Sequence, residues 1–176
     1  MFLWIGCKLP ADYEKEVRSY CLEKNKSIGL NTLPFSLPQH ISLKISFESA
    51  CTDQIVEYLK IFFAQQKPFF VHIVGIEQMG QILWLTVEEN PILQQLHESL
   101  DQQLEKLFKV EQHPFDKAFQ FHSTLFMDED GEKIRKMAAM LAGCPFAREL
   151  MVDTIVLGTS ESGKPGSYHV IAEIKL

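Results

Sequence analysis

Apolar positions along this chain recur either every second residue or at helical spacing, and the two periods take turns. Residues 2–9 alternate loosely and predict a strand. Pro10-Ala11-Asp12 opens a helix with Tyr13, Val17, Tyr20 and Cys21 on one face, and Asn25 to Pro38 reads as a loop carrying Gly29, Pro34 and Pro38. The cleanest alternation follows. His40, Ser42, Lys44 and Ser46 fall on one face of a strand, and Ile41, Leu43, Ile45 and Phe47 on the other. A helix from about Thr52 to Gln66 has Ile55, Leu59, Phe62 and Phe63 as its stripe, and residues 69–76 form another strand.

The pattern then starts again. Residues 81–88 predict a strand, and Asn90-Pro91 places a good N-cap and first-turn proline before a helix to about Phe108 with Leu93, Leu96, Leu100, Leu104 and Leu107 inward. A loop through His113-Pro114 leads to a strand from Phe119 to Met127, a turn at Asp128–Gly131 and a helix with Ile134, Met137, Ala138 and Leu141 on its core face. Strands at about 149–158 and 167–175, joined by a hairpin loop, close the chain. Residues 1–76 and 81–158 thus both read β-α-β-α-β. Leu3-Trp4 aligns with Leu83-Trp84, His40 with His122, and Ile73-Val74 with Ile155-Val156. This is the signature of an internal duplication, with repeats of about 1–79 and 80–176 forming two αβ lobes about a pseudo-two-fold axis within one domain.

The duplication gives meaning to two short segments, Gln39-His40-Ile41-Ser42-Leu43 and Phe121-His122-Ser123-Thr124-Leu125. In a strand, residues i and i+2 share a face roughly 6.5 Å apart. His40 therefore pairs with Ser42 and His122 with Thr124, whereas Ser123 turns into its lobe. If the two strands face each other, two imidazoles and two hydroxyls line one cleft. Two histidines can divide the work of general base and general acid, and hydroxyls can donate to the oxygens of a phosphodiester. With no carboxylate or cysteine in either motif, this chemistry calls for no metal and no cofactor. Lys44, on the His40 face, is a candidate cation for phosphate, and its alternative is a solvated lysine. His72, His97, His113 and His169 read as structural or simply exposed.

Composition narrows the partners. A net charge of −6 argues against electrostatic capture of DNA or long RNA, while leaving room for a small nucleotide or an RNA end. The four cysteines, Cys7, Cys21, Cys51 and Cys144, have no metal-ligand spacing, and a reduced cytoplasmic setting is expected. No apolar run approaches bilayer length, and the N-terminus reads as a first strand, so no membrane partner is expected; a monomer is the simplest state.

The HxSL of His40–Leu43 and the HxTL of His122–Leu125, about eighty residues apart in a duplicated αβ chain, resemble the two-histidine (2H) phosphoesterases, the 2′-5′ RNA ligase-like and cyclic phosphodiesterase superfamily. The resemblance covers essentially the whole chain. It implies an α+β fold of two lobes, antiparallel-rich sheets flanked by helices, with the active cleft between them. It implies that His40 and His122 are the acid–base pair and that Ser42 and Thr124 bind phosphate, Ser42 standing where many members have threonine. It also points to an aromatic residue near the cleft, which Tyr168 could supply. The implied substrate is a nucleotide or RNA end bearing a 2′,3′-cyclic phosphate. The alternatives are a 2′-5′-linked oligonucleotide, another cyclic nucleotide, or a binding module without turnover.

Overall fold

The computed structural model describes residues 1–176, apart from the side chains of Lys117 and Ala118. The first repeat contains β1 (Phe2–Lys8), α1 (Ala11–Asn25), β2 (His40–Glu48), α2 (Thr52–Phe63) and β3 (Phe69–Met79). The second contains β4 (Ile82–Val87), α3 (Pro91–Phe108), β5 (His122–Met127), α4 (Gly131–Leu141) and β6 (Arg148–Val152), after which β7 (Thr154–Ser160) and β8 (His169–Lys175) end the chain. Among the described residues no helix is long and apolar enough to cross a membrane.

Each helix forms where the apolar spacing predicts. Tyr13, Val17 and Cys21 are the buried line of α1, Ile55, Leu59 and Phe63 that of α2, and Ile134, Met137 and Leu141 that of α4. Asn90 caps α3, its side-chain oxygen accepting from the amides of Ile92 at 3.0 Å and Leu93 at 3.1 Å, with Pro91 in the first turn. Leu107 departs from the inward stripe: it is exposed at the last turn of α3.

The strands form two four-stranded antiparallel sheets, ordered β2-β1-β7-β8 and β5-β4-β3-β6. The sheets are not the two halves of the sequence. β3 leaves the first repeat to pair with β4 and β6, and β7 and β8 join β1. The continuous strand expected at 149–158 is divided at Asp153, its first part in one sheet and its second in the other. This exchange threads each repeat through the other lobe. It also leaves β2 and β5, the motif strands, as edge strands of their sheets.

The two edges meet. The Ser123 hydroxyl donates to Gln39 Oε1 at 2.9 Å, joining the residues that flank the two motif histidines, and both are buried. Around this bond the linker of the first repeat reaches over β5. Phe35, in a 3₁₀ turn over Leu33–Ser36, packs edge-on against Phe126 at 5.3 Å, and the Asn31 amide donates to Asp128. On the opposite side the Tyr13 hydroxyl donates to the Phe146 carbonyl at 2.9 Å, and Arg148 pairs with Glu16.

Strict alternation stops at a matched place in both motif strands, and β2 carries a second irregularity between Lys44 and Phe47. Against β1, Gly6 faces Ser42 and Ile5 faces Lys44; against β4, Trp84 faces Thr124 and Leu83 faces Phe126. One residue on the inner strand thus spans two on the edge strand, a β-bulge at Leu43 and another at Leu125. Beyond each bulge the side chains are re-aimed. Phe126 is fully buried. Lys44, expected as a phosphate cation, is 1% exposed and lies under α3, its ammonium 2.6 Å from Asp101 and 2.5 Å from Asp116. His97 completes this cluster, donating to the carbonyl of Leu43, the bulged residue, at 2.7 Å. Its own ring stacks on Phe119 at 4.4 Å.

A buried cation between two carboxylates matters most when it is removed. Lys44→Met leaves two uncompensated charges in the interior and should destabilise the protein by about 3–5 kcal/mol. Adding Asp101→Asn and Asp116→Asn should recover a large part of that loss. Urea denaturation of the single and triple variants checks both. A single variant as stable as the wild type would show that the lysine does not neutralise the pair.

Candidate active site

The site begins with the local chain around each histidine. Pro38 and Gln120 each stand two residues before a motif histidine, and each turns its carbonyl back to that ring. His40 Nδ1 lies 2.7 Å from the Pro38 oxygen, and His122 Nδ1 lies 2.7 Å from the Gln120 oxygen. A carbonyl oxygen only accepts, so Nδ1 carries the proton in both rings and donates it. In the neutral imidazole the lone pair is then on Nε2. The two repeats have arrived at the same tautomer by the same contact.

Burial keeps both rings neutral. It pushes His40 down to about 4, with the bond to Pro38 opposing the shift and the neighbouring His122 adding to it. Burial also lowers His122, again opposed by its carbonyl bond.

A cleft of about 260 Å³ opens beside His40. Thr124 of the opposite motif lines it, with Gln39 and Ser123 at the junction of the edge strands, Leu33 and Leu37 from the linker and Met127 from β5. Tyr168 lines it too, its hydroxyl 2.5 Å from the Ser46 hydroxyl. A larger cavity of about 640 Å³ is lined by Gln120, Thr86, Trp84, Phe119, Phe121 and Glu77. Thr86 is the ladder partner of His122.

The structure therefore brings His40, Thr124 and Tyr168 to one cleft; His122, two residues before Thr124 on β5, and Ser42 are not among its lining residues. Ser42 is half-buried on β2 opposite Gly6, two residues past His40 and ahead of the bulge. Lys44 is not brought to the cleft: the bulge at Leu43 sends it to its carboxylates. His97, Asp101 and Asp116 have ligand-type atoms within 4.8 Å of one another, but the lysine ammonium lies between the carboxylates and supplies their positive charge. Sequence reasoning passed over Gln39, Trp4 and Trp84. Gln39 stood beside the motif without a role, and the tryptophans marked the repeat without being read as part of a site. Each stacks on a motif histidine, Trp4 on His40 and Trp84 on His122.

The family model described as the 2′-5′ RNA ligase superfamily matches residues 34–164, a span that includes both motifs. No curated protein matches the chain. Among solved structures, TT0787 of Thermus thermophilus is 21% identical, with a TM-score of 0.65 over 100% of this chain and 98% of that one. E. coli LigT in its apo form is 16% identical, with a TM-score of 0.66 over 99% of this chain and 96% of that one. LigT complexed with 3′-AMP is 17% identical, with a TM-score of 0.65 over the same shares. At these identities the structural likeness speaks to the fold.

The depressed proton affinity of His40 has a consequence for stability. In the unfolded chain this histidine binds a proton below its ordinary value near 6.5, whereas in the folded protein it does so only near 4. Between those values the unfolded state holds the extra proton, so this contribution to stability is present above pH 6.5 and is lost as pH falls towards 4. Relative to His40→Gln, the wild type should lose about 2 kcal/mol between about pH 7 and about pH 4.5, measured by urea denaturation at both pH values. A difference independent of pH would contradict the neutral, buried ring.

Proposed function

The chain belongs to the 2′-5′ RNA ligase superfamily of two-histidine phosphoesterases, and from that premise we propose that it is a metal-independent phosphodiesterase opening 2′,3′-cyclic phosphate ends of nucleotides or RNA. The observation that carries this reading is the matched wiring of the two imidazoles, Nδ1 bonded to a backbone carbonyl at 2.7 Å in each repeat. It leaves two equivalent Nε2 atoms, one for each proton transfer of an in-line displacement.

One Nε2 takes a proton from water as the oxygen attacks phosphorus. The Nε2–H of the other ring gives a proton to the ribose oxygen as its bond to phosphorus breaks. One proton is taken up and one released, so charge balances without a metal. The hydroxyls of Ser42 and Thr124 donate to the non-bridging oxygens, where negative charge is held during the displacement. Tyr168 borders the same cleft and suits the nucleoside. The acidic charge of the chain favours a small nucleotide or short end over a long polyanion, and the 3′-AMP complex of the structural neighbour LigT is consistent with a nucleotide of that size.

Turnover needs one protonated and one neutral ring, and the free site favours two neutral ones. Arrival of an anionic phosphodiester favours the imidazolium. With both rings shifted below the ordinary histidine range, kcat/KM should peak below pH 6.5 and fall about tenfold per unit above the peak. A steady-state profile on 2′,3′-cyclic nucleotide reads this directly; a maximum at about pH 8 would not fit.

The reaction itself is tested with 2′,3′-cyclic nucleotide and with a cyclic-phosphate-ended oligonucleotide in the presence of EDTA. Turnover should survive the chelator and drop by about 10²- to 10⁴-fold in kcat in His40→Ala and in His122→Ala. Dependence on added metal, or activity retained in both variants, would overturn the mechanism. Binding without turnover would favour the non-catalytic module.

A further inference from the structure

Tryptophan occurs twice in this chain, and both copies lie against the paired histidines. Trp4 on β1 stacks on His40 with ring centroids 4.2 Å apart and planes inclined by 24°. Trp84 on β4 stacks on His122 at 4.1 Å and 27°. The indoles are 6% and 3% exposed. The two stacks agree closely although the residues around them differ.

In the first lobe the sheet has been cleared to make room. A Cβ at Gly158 on β7 would stand 2.1 Å from Nε1 of Trp4, and a Cβ at Gly6 would stand 2.9 Å from Cδ2 of His40. No other residue fits either place with the stack intact. The Trp4 Nε1 is buried with no hydrogen-bond partner among the described residues. Buried N–H groups are rarely left so. Packing alone gives no reason to keep that donor, whereas a flat π surface against an imidazole does. In the second lobe Trp84 lies between Thr124 of β5 and Glu77 of β3 in the ladder, and reaches the same stack without a glycine.

Two restraints therefore act on each ring. The carbonyl bond at Nδ1 fixes its rotation within the plane, and the indole fixes the plane. Among the described residues neither His40 nor His122 forms an ion pair with a carboxylate, the usual orienting partner of a working imidazole. A proton on either ring faces indole instead, the best cation–π partner among side chains. The titratable and charged groups nearby are Lys8, opposite His40 in the ladder and paired with Glu173, His122 for His40, Tyr168 on the cleft that His40 lines, and Glu77 beside Trp84.

Resting on the phosphodiesterase reading, we infer that Trp4 and Trp84 are positioning residues for the acid–base pair, each holding its imidazole in plane and stabilising the imidazolium formed during turnover. They take the place that a carboxylate fills at other histidine sites.

Because there are only two tryptophans, fluorescence isolates each stack. An imidazolium quenches an indole stacked on it. In Trp84→Phe the remaining indole reports on His40, and in Trp4→Phe it reports on His122. Each single-tryptophan protein should dim as pH falls, and the transition should vanish when His40→Asn or His122→Asn respectively is added. On 2′,3′-cyclic nucleotide, Trp4→Leu and Trp84→Leu should lose about 10- to 100-fold in kcat with KM little changed, and the Phe variants should retain most activity. The alkaline limb of the Leu variants should move to lower pH, a change that loss of packing would not produce. Transitions that persist without the matching histidine, or folded Leu variants with unchanged kcat, overturn the inference. If a Leu variant does not fold, the Phe proteins and their fluorescence transitions decide. If the wild type turns over no cyclic nucleotide, the substrate reading fails, and the fluorescence titration still decides the stacking.

Discussion

Each motif strand bulges at its leucine, Leu43 in one repeat and Leu125 in the other, and the organisation of the site follows from that break. Up to the bulge, alternation holds: histidine and hydroxyl share the polar face, and the residue between them points inward. Just after it, Lys44 and Phe126 turn into the protein, while Ser46 and Met127 further along remain exposed. The bulged backbone is then used again, since the Leu43 carbonyl accepts from His97 in the cluster that holds Lys44. The second bulge delivers Phe126 to the linker that closes over β5. A matched departure from regular pairing in each repeat thus separates the motif residues from the buried groups that follow them.

The exchange of strands between the repeats serves the same end. Edge strands are exposed to improper pairing unless something covers them. Here the two edges cover each other, and the Ser123–Gln39 hydrogen bond joins them at the residues beside the histidines. Neither sequence repeat can form its sheet alone, because β3 completes the second sheet and β7 the first. The relative placement of His40 and His122 therefore depends on both repeats being folded and interleaved, and a change at Ser123 or Gln39 acts on the spacing between the two motif strands.

Much of this was legible in the sequence because period is a strong signal. The alternation at His40–Leu43 and His122–Leu125, the helical stripes and the Asn90-Pro91 start gave the elements and the repeat. The assignment of Ser123 to the interior followed from alternation alone, and the structure buries it. Lys44 was misplaced for a physical reason: a bulge leaves no trace in a hydrophobic pattern when apolar residues continue on both sides. Leu107 lay on the helical stripe and is exposed at its end. The strand exchange was equally hidden, since pairing between distant strands is set by tertiary contacts. Trp4 and Trp84 were visible as matched residues, but nothing in their spacing linked them to His40 and His122. That link exists only across the ladder.

Catalysis as proposed depends on two imidazoles that carry their proton on Nδ1 and keep Nε2 for chemistry. Nitrogen-15 NMR of the histidine side chains distinguishes the two neutral tautomers and the imidazolium directly, with His40→Asn and His122→Asn giving the assignments. At about pH 7, in the free protein, both rings should show a protonated Nδ1 and an unprotonated Nε2. A protonated Nε2 on either ring, as the other tautomer or as a stable imidazolium, would contradict the account.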